Sequence, residues 1–347
     1  MSSKADLTGT KYFFVHACVE VICFYLLRIH FPTVMAGGIA LLYDFFAFLP
    51  QGMIGDFIIK HRRIPYETLG HLLMAAGGVL ILAFPAKAAH VSGYVLLAAG
   101  NAVLHECGAI ATVADSEGKI FPSALFVAGG SFGVVIGQTM GMRQVPPYFL
   151  LIPLVLSELL CLSAKTSVRK EKYPEFSVVS PKVSAGTVLL IAFIVTSVRS
   201  YIGYAIPISW NKEVWQSFFL FFIMGAGKAL GGFLADRFGA RKTAFIGTLA
   251  AIPFLLFGDR IMVVSCIGVF FFSMTMSITF AMCLSILKTN PGLAFGITTA
   301  GLFLGLLPAF FIQFSPVVNA VLITVFSVLS FFLLRCSLQD GAAAGKE

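Results

Sequence analysis

Gly52-Met53-Ile54-Gly55-Asp56-Phe57-Ile58-Ile59-Lys60-His61-Arg62-Arg63 closes one apolar run, and Gly232-Phe233-Leu234-Ala235-Asp236-Arg237-Phe238-Gly239-Ala240-Arg241-Lys242 closes another about half a chain later. A polar motif recurring at that period implies two equivalent halves, an internal duplication of the kind from which many membrane carriers are built. Working outward from the two copies, the chain alternates long apolar runs with short polar breaks.

Composition sets the class. Of 347 residues 58% are hydrophobic and only 12% charged, with a mean hydropathy of +0.93, beyond what a soluble domain carries. Apolar runs of spanning length fall near 11–30, 38–59, 67–85, 91–114, 120–141, 146–164, 185–206, 213–235, 241–257, 261–287, 291–313 and 316–335. The expected fold is an all-α membrane protein with twelve transmembrane helices in two six-helix lobes related by a pseudo-two-fold axis. The runs are continuous rather than alternating, which excludes a barrel. The expected organisation is an N-terminal lobe over 1–164, a polar linker over 165–184 and a C-terminal lobe over 185–347 with a short tail. Loops this short leave no room for a soluble accessory domain.

Charge placement gives the orientation. Lys60, Arg62, Arg63, Lys165, Arg169, Lys170, Lys172, Lys182, Arg237, Arg241 and Lys242 gather on one side, against Arg28, Lys87, Arg143, Lys212 and Arg260 on the other. The basic side is cytoplasmic by the positive-inside rule, so both termini are expected there. A net charge of +8 then follows from topology and from contact with anionic lipid, with no nucleic-acid partner needed. The first span carries His16 and Glu20 and lacks a cleavage site after it, so it is expected to stay in the mature protein. Seven scattered cysteines show no metal-like spacing, and the composition implies packing roles for them. No Gly-x-x-x-x-Gly-Lys-Ser/Thr segment occurs, so neither a nucleotide nor any other cofactor is expected and ATP is not the drive.

The motif resembles the signature that joins helices 2 and 3 in the major facilitator superfamily, Gly-x-Leu-Ala-Asp-Arg-x-Gly-Arg-Lys. The second copy matches closely; the first has Phe57 and Ile59 where the family prefers Arg and Gly. The resemblance spans the whole chain and implies a secondary transporter that alternates a central site between two faces, with helices 1, 4, 7 and 10 lining the cavity. It assigns Gly52, Asp56, Arg62, Gly232, Asp236, Arg237 and Arg241 to a gating latch, small residues allowing close helix approach and Asp holding basic groups and a neighbouring helix end. A monomer in a bacterial inner membrane is the expectation that comes with it. A second similarity, to fosmidomycin-resistance-like exporters, rests on His16 and Glu20 where those proteins carry His-x-x-x-Asp in helix 1, and on Leu104-His105 where they carry Phe-His in helix 4. Glu106 stands where they have Pro.

Ionisable groups far inside spans are costly and therefore candidate sites. His16 and Glu20 share one helix face at i, i+4 spacing, and Glu20 sits about 14 Å from the cytoplasmic end of its helix by helical rise. Arg199 holds the corresponding place in the second half. Asp44, Lys228, His105 and Glu106 complete the candidates for substrate or proton binding, with Glu158 further off in helix 6. Two roles compete for them. Glu20 with Arg199, or Asp44 with Lys228, reads as a structural ion pair; alternatively a cavity carboxylate takes and releases a proton as the cavity switches sides. The hydroxyls Ser273, Thr275, Ser277 and Thr279 of helix 10 are expected to bond their own backbone. Gly129 and Gly133, and Gly301 and Gly305, form matching small-residue pairs for helix packing.

The cations favour a small organic anion as substrate, moved with protons or another coupling ion, in a protein that is not an enzyme. An antibiotic exporter of the same fold is the alternative. A metal-dependent membrane enzyme or sensor built on His16, Glu20, His105 and Glu106 is a remote third, and a channel is disfavoured by the duplicated latch.

Overall fold

The computed structural model describes residues 4–31, 38–168 and 170–340, with the side chains of 164–167 excepted. Arg169, the Lys165 side chain and the tail beyond Asp340 lie outside the described residues. Among those described, eleven helices are long and apolar enough to cross a membrane, and a shorter apolar helix makes twelve. They are α1 (Lys4–His30), α2 (Gly38–Lys60), α3 (Tyr66–Ala83), α4 (Lys87–Ala114), α5 (Phe121–Met142), the shorter α6 (Pro147–Ser163), α7 (Ala185–Ala205), α8 (Val214–Phe238), α9 (Ala240–Phe257), α10 (Met262–Ile286), α11 (Pro291–Phe310) and α12 (Pro316–Ser337). The expected order of twelve spans is therefore the observed one, in a two-lobe layout. α1 begins seven residues earlier than its apolar run, Asp6 and Thr8 still continuing the helix.

Three spans are interrupted. α2 divides at Leu49–Pro50 into Gly38–Phe48 and Gln51–Lys60. Pro50 has no N–H to give the preceding turn, and the Gln51 side chain donates Nε2 to the Ala47 carbonyl at 2.6 Å, satisfying part of the break internally. α10 divides at Met274–Thr275. α9 carries a π-turn over Ile246–Ala250, a local widening that such helices often place at functional regions.

Small residues set the packing. α5 lies along α1 and α8, and α11 lies along α7 and the second half of α2. A Cβ on Gly129 would enter the Phe13 carbonyl of α1, and one on Gly305 would enter the Ser197 carbonyl of α7. These are equivalent contacts in the two halves, which is how the duplicated glycine pairs are used.

The lobes meet most closely at the end that carries the linker. Gly55 on α2 lies against Gly292 at the start of α11, a Cβ on either falling 2.6 Å from the Cα of the other. The linker is itself tied down at this end. Lys170 Nζ bonds the Ala114 carbonyl at 2.9 Å and the Asp115 carboxylate, which also takes Thr8 Oγ1 at 2.8 Å and Lys4 Nζ at 3.1 Å. Val179 pairs with Leu338 as an isolated antiparallel bridge, flanked by Ser180 N–H to Ser337 O at 2.8 Å and Gln339 N–H to Val178 O at 3.1 Å.

Candidate functional site

Three side chains from α1 and α4 converge in the first lobe. His16 and Glu20 come one turn apart on α1, and His105 faces them from α4. His105 Nε2 lies 2.7 Å from His16 Nε2, and Glu20 Oε1 lies 3.3 Å from the first and 3.6 Å from the second. All three are buried. Each imidazole spends its other nitrogen on a backbone carbonyl, His16 Nδ1 to Phe126 O at 2.9 Å and His105 Nδ1 to Asn101 O at 2.9 Å. A carbonyl only accepts, so both Nδ1 atoms carry hydrogen. The two facing Nε2 atoms and the carboxylate oxygen are then three acceptors with no donor among them, and a 2.7 Å contact between nitrogens requires one more proton. With that proton shared among two imidazoles and a carboxylate, the trio is neutral overall. Asn101 supports it, its Nδ2 reaching Glu20 Oε1 at 3.2 Å and Tyr43 Oη at 3.0 Å.

The three ligand-type atoms lie within 4.8 Å of one another, and Glu106 is not among them. Two ligands of a tetrahedral zinc stand about 3.3 Å apart. The 2.7 Å between the imidazoles is hydrogen-bond geometry, so the trio as it stands is closed around a proton.

The second lobe presents cations. Arg199 on α7 donates Nε to Thr275 Oγ1 at 3.2 Å and lies over the Phe272 ring at 4.8 Å. Lys228 on α8 donates to Ser131 Oγ on α5 at 2.8 Å, across the lobe boundary. Neither meets a carboxylate among the described residues. Of the two competing readings, the ion pairs Glu20–Arg199 and Asp44–Lys228 are therefore not formed among the described residues. Glu20 is drawn to the imidazoles, and Asp44, buried on α2, has no described hydrogen bond or ion pair. Arg199 and Lys228 line a cavity of about 450 Å³ with Tyr204, Asn211, Phe272 and Ser273.

The helix 10 hydroxyls divide. Thr275 and Thr279 bond the carbonyls of Phe272 and Met276 as expected, whereas Ser273 and Ser277 have buried oxygens with no partner. Ser273 lines the cavity, beside Tyr204 and Asn211, which sequence reasoning passed over. A hydroxyl inside an apolar run carries no periodic signal.

The duplicated motif sits where the lobes meet. Asp236 accepts from Ile120 N–H at 2.8 Å and Phe121 N–H at 2.9 Å, both at the start of α5. Asp56 accepts from Asn290 Nδ2 at 2.8 Å, and Asn290 caps α11 by accepting from Leu293 N–H at 2.9 Å. Each aspartate thus holds the N-terminus of a helix from the opposite lobe, where the helix dipole favours negative charge. Gly52 and Gly232 allow the approach, facing Gly296 and Ala124. Asn290 also went unread, although Asn directly before Pro291 is a helix-start signal. Of the basic members only Lys60 meets a motif aspartate among the described residues. Lys60 pairs with Asp56 at 2.5 Å, Arg62 bonds Ile59 O at 2.8 Å, Arg237 lies over Phe238 and Arg241 reaches Asp340 beside the tail. Glu158 is remote from the cavity, paired with His71 at 2.8 Å between α3 and α6.

No family model matches the chain. The curated fosmidomycin resistance protein of Escherichia coli (strain K12) is 25% identical over 252 residues, 63% of this chain and 61% of that protein. The chain thus spans about three-fifths of the length of this curated relative. Among solved structures, the E. coli fucose:proton symporter FucP superposes with a TM-score of 0.62 at 15% identity, covering 95% of this chain and 97% of that one. A structure of FucP in the outward conformation gives the same TM-score at 16% identity. The human organic anion transporter MFSD10 gives 0.66 at 14% identity, covering 95% and 99%. These relatives are transporters and a resistance protein rather than enzymes. With twelve helices in two lobes superposing over nearly its whole described length, the chain has the fold of the major facilitator superfamily.

Proposed function

We propose that this protein is a secondary active transporter that carries a small organic anion by alternating access and couples the movement to protons. One observation carries the reading: buried Arg199 and half-buried Lys228, two cations with no described carboxylate partner, stand in the wall of a 450 Å³ cavity, while the acid of the facing lobe is already engaged by its own histidines. An unbalanced pair of cations in a low-dielectric site favours an anion of their combined charge. The His16–His105–Glu20 trio supplies one exchangeable proton beside that site. The names of the relatives agree in kind, one being a proton symporter and another an organic anion transporter.

With the linker side cytoplasmic, as the basic residues imply, the lobes are closed toward the cytoplasm and the cavity belongs to the opposite face. That is an outward-facing state, held by Asp56 and Asp236. The protein sits in a bacterial inner membrane as a monomer, with both termini inside.

Uptake into proteoliposomes tests the reading. An organic acid should accumulate under a pH gradient, show counterflow, and lose binding in Arg199→Ala. Cations or neutral drugs bound equally by wild type and Arg199→Ala would instead favour antibiotic export, the reading to which the curated relative's name points. That alternative draws on the apolar part of the same cavity, Phe221, Met224, Phe272 and Met276.

A further inference from the structure

Glu106 follows His105 on α4, but its side chain has no part in the trio. It is 0% exposed, and neither carboxyl oxygen has a hydrogen-bond partner. Its Oε2 occupies the space that a Cβ on Gly55 would take, and that same glycine is the point of closest approach to Gly292 of α11. Ala235 holds the matching position in the second copy of the motif. The missing methyl at Gly55 is thus what makes room for the acid beneath the seal between the lobes.

Among the described residues the surroundings offer no counter-charge. α5 and α11 have no titratable side chain. From α2, Asp56 is occupied by Lys60 and Asn290, and Asp44 lies a helix-half away beyond the Pro50 break. From α1, His16 and Glu20 are joined to His105, and Tyr12 is a neutral phenol. From α3 and α6, His71 pairs with Glu158, while Glu67, Tyr66 and Cys161 make no described hydrogen bond to Glu106. On α4 itself Cys107 is a buried thiol, and Asp115 is taken up by Thr8, Lys4 and Lys170. An ionised carboxylate with no donor is among the costliest groups to bury, and it takes a proton instead.

We infer that Glu106 is a gate acid: sealing of α2 against α11 requires it to take up a proton, and parting of the two helices hydrates the carboxyl and releases that proton to the linker-side solution. The inference rests on the alternating-access reading and adds to it a second titrating group, separate from the trio. Carboxylate plus proton gives the carboxylic acid on closing, and the reverse occurs on opening. Acid on the linker side therefore favours the sealed state and alkali the open one.

Spin labels at Arg63→Cys and Thr289→Cys, in a Cys336→Ser background, place one probe on each side of the seal. Pulsed electron resonance on the full chain in lipid nanodiscs then reads the ratio of open to closed distances against pH. In Glu106→Gln the slope of log(open/closed) against pH should fall by about one, the loss of one linked proton, or about tenfold per pH unit in the ratio. Glu106→Met, apolar and of similar length, should behave as Glu106→Gln does, and serves if the amide fails to fold. Slopes equal to wild type in either variant overturn the gate acid and leave alternating access standing. A distance that substrate moves and pH does not has the same meaning. A distance that neither substrate nor pH moves in wild type overturns alternating access, and the gate acid with it.

Discussion

His16 and His105 face each other across α1 and α4 with their Nε2 atoms 2.7 Å apart, and each has already given its Nδ1 hydrogen to a backbone carbonyl. The backbone fixes the tautomers, so the number of protons in the cluster follows from counting donors. A site that must hold one proton when closed, beside a carboxylate, is suited to release it when substrate or water rearranges the contact.

Glu20→Gln removes the carboxylate that the two imidazoles face. Proton-driven accumulation is expected to drop by at least about tenfold, in the range seen for loss of a positioned proton-transfer group, while counterflow of unlabelled against labelled substrate persists. Equal losses in both assays would place Glu20 in substrate binding instead.

Arg199→Ala and Lys228→Met each remove one charged donor from the cavity wall. Each is expected to weaken anion binding by about 1.5 to 3 kcal/mol, roughly ten- to a hundred-fold in Kd, read by titration calorimetry. Arg199→Lys recovers only part, because a point charge does not replace the planar fork.

Gly292→Ala places a methyl 2.6 Å from the Gly55 Cα, which the backbone there cannot yield cheaply. The closed state should lose about 1 to 3 kcal/mol, and thiol reagents should reach linker-side positions of the gate several times faster than in wild type.

At the opposite end, Asp259 accepts the Ser209 backbone N–H at 2.9 Å, tying the α7–α8 loop to the α9–α10 loop. Hydrogen bonds from Ser209, side chain and then backbone, hold this carboxyl below its usual range. A depressed folded value means the tie is present above the unfolded value and is lost as pH falls through the folded one. The protection factor of the Ser209 amide, its exchange rate relative to an unstructured amide at the same pH, should therefore fall in acid, and Asp259→Asn should show lower protection at neutral pH.

The twelve spans were legible because a membrane span needs a long continuous apolar run, and Pro50 or the α9 π-turn interrupts the hydrogen bonding without interrupting the hydropathy. The duplicated aspartates were legible because the motif repeats. Their partners were not: the N–H groups of Ile120 and Phe121 are backbone and leave no trace in composition. The pairing of Glu20 failed for a related reason. Symmetry aligned it with Arg199, but two histidines, one of them a turn away on the same helix, stand nearer. Glu106 could be singled out as an ionisable residue in a span, yet its place under Gly55 depends on how α2 and α11 cross.

The linker has a measurable amount of slack. It is moored to one lobe at Lys170 and to the other at Val179, and fully extended the stretch between those moorings reaches about 30 Å. In the closed state Phe176 and Val178 are stowed against the protein, so the leash is partly reeled in. Its length caps how far the linker-side ends can swing apart before one mooring must let go, which makes loop shortening a way to limit the amplitude of opening without touching any residue of the cavity.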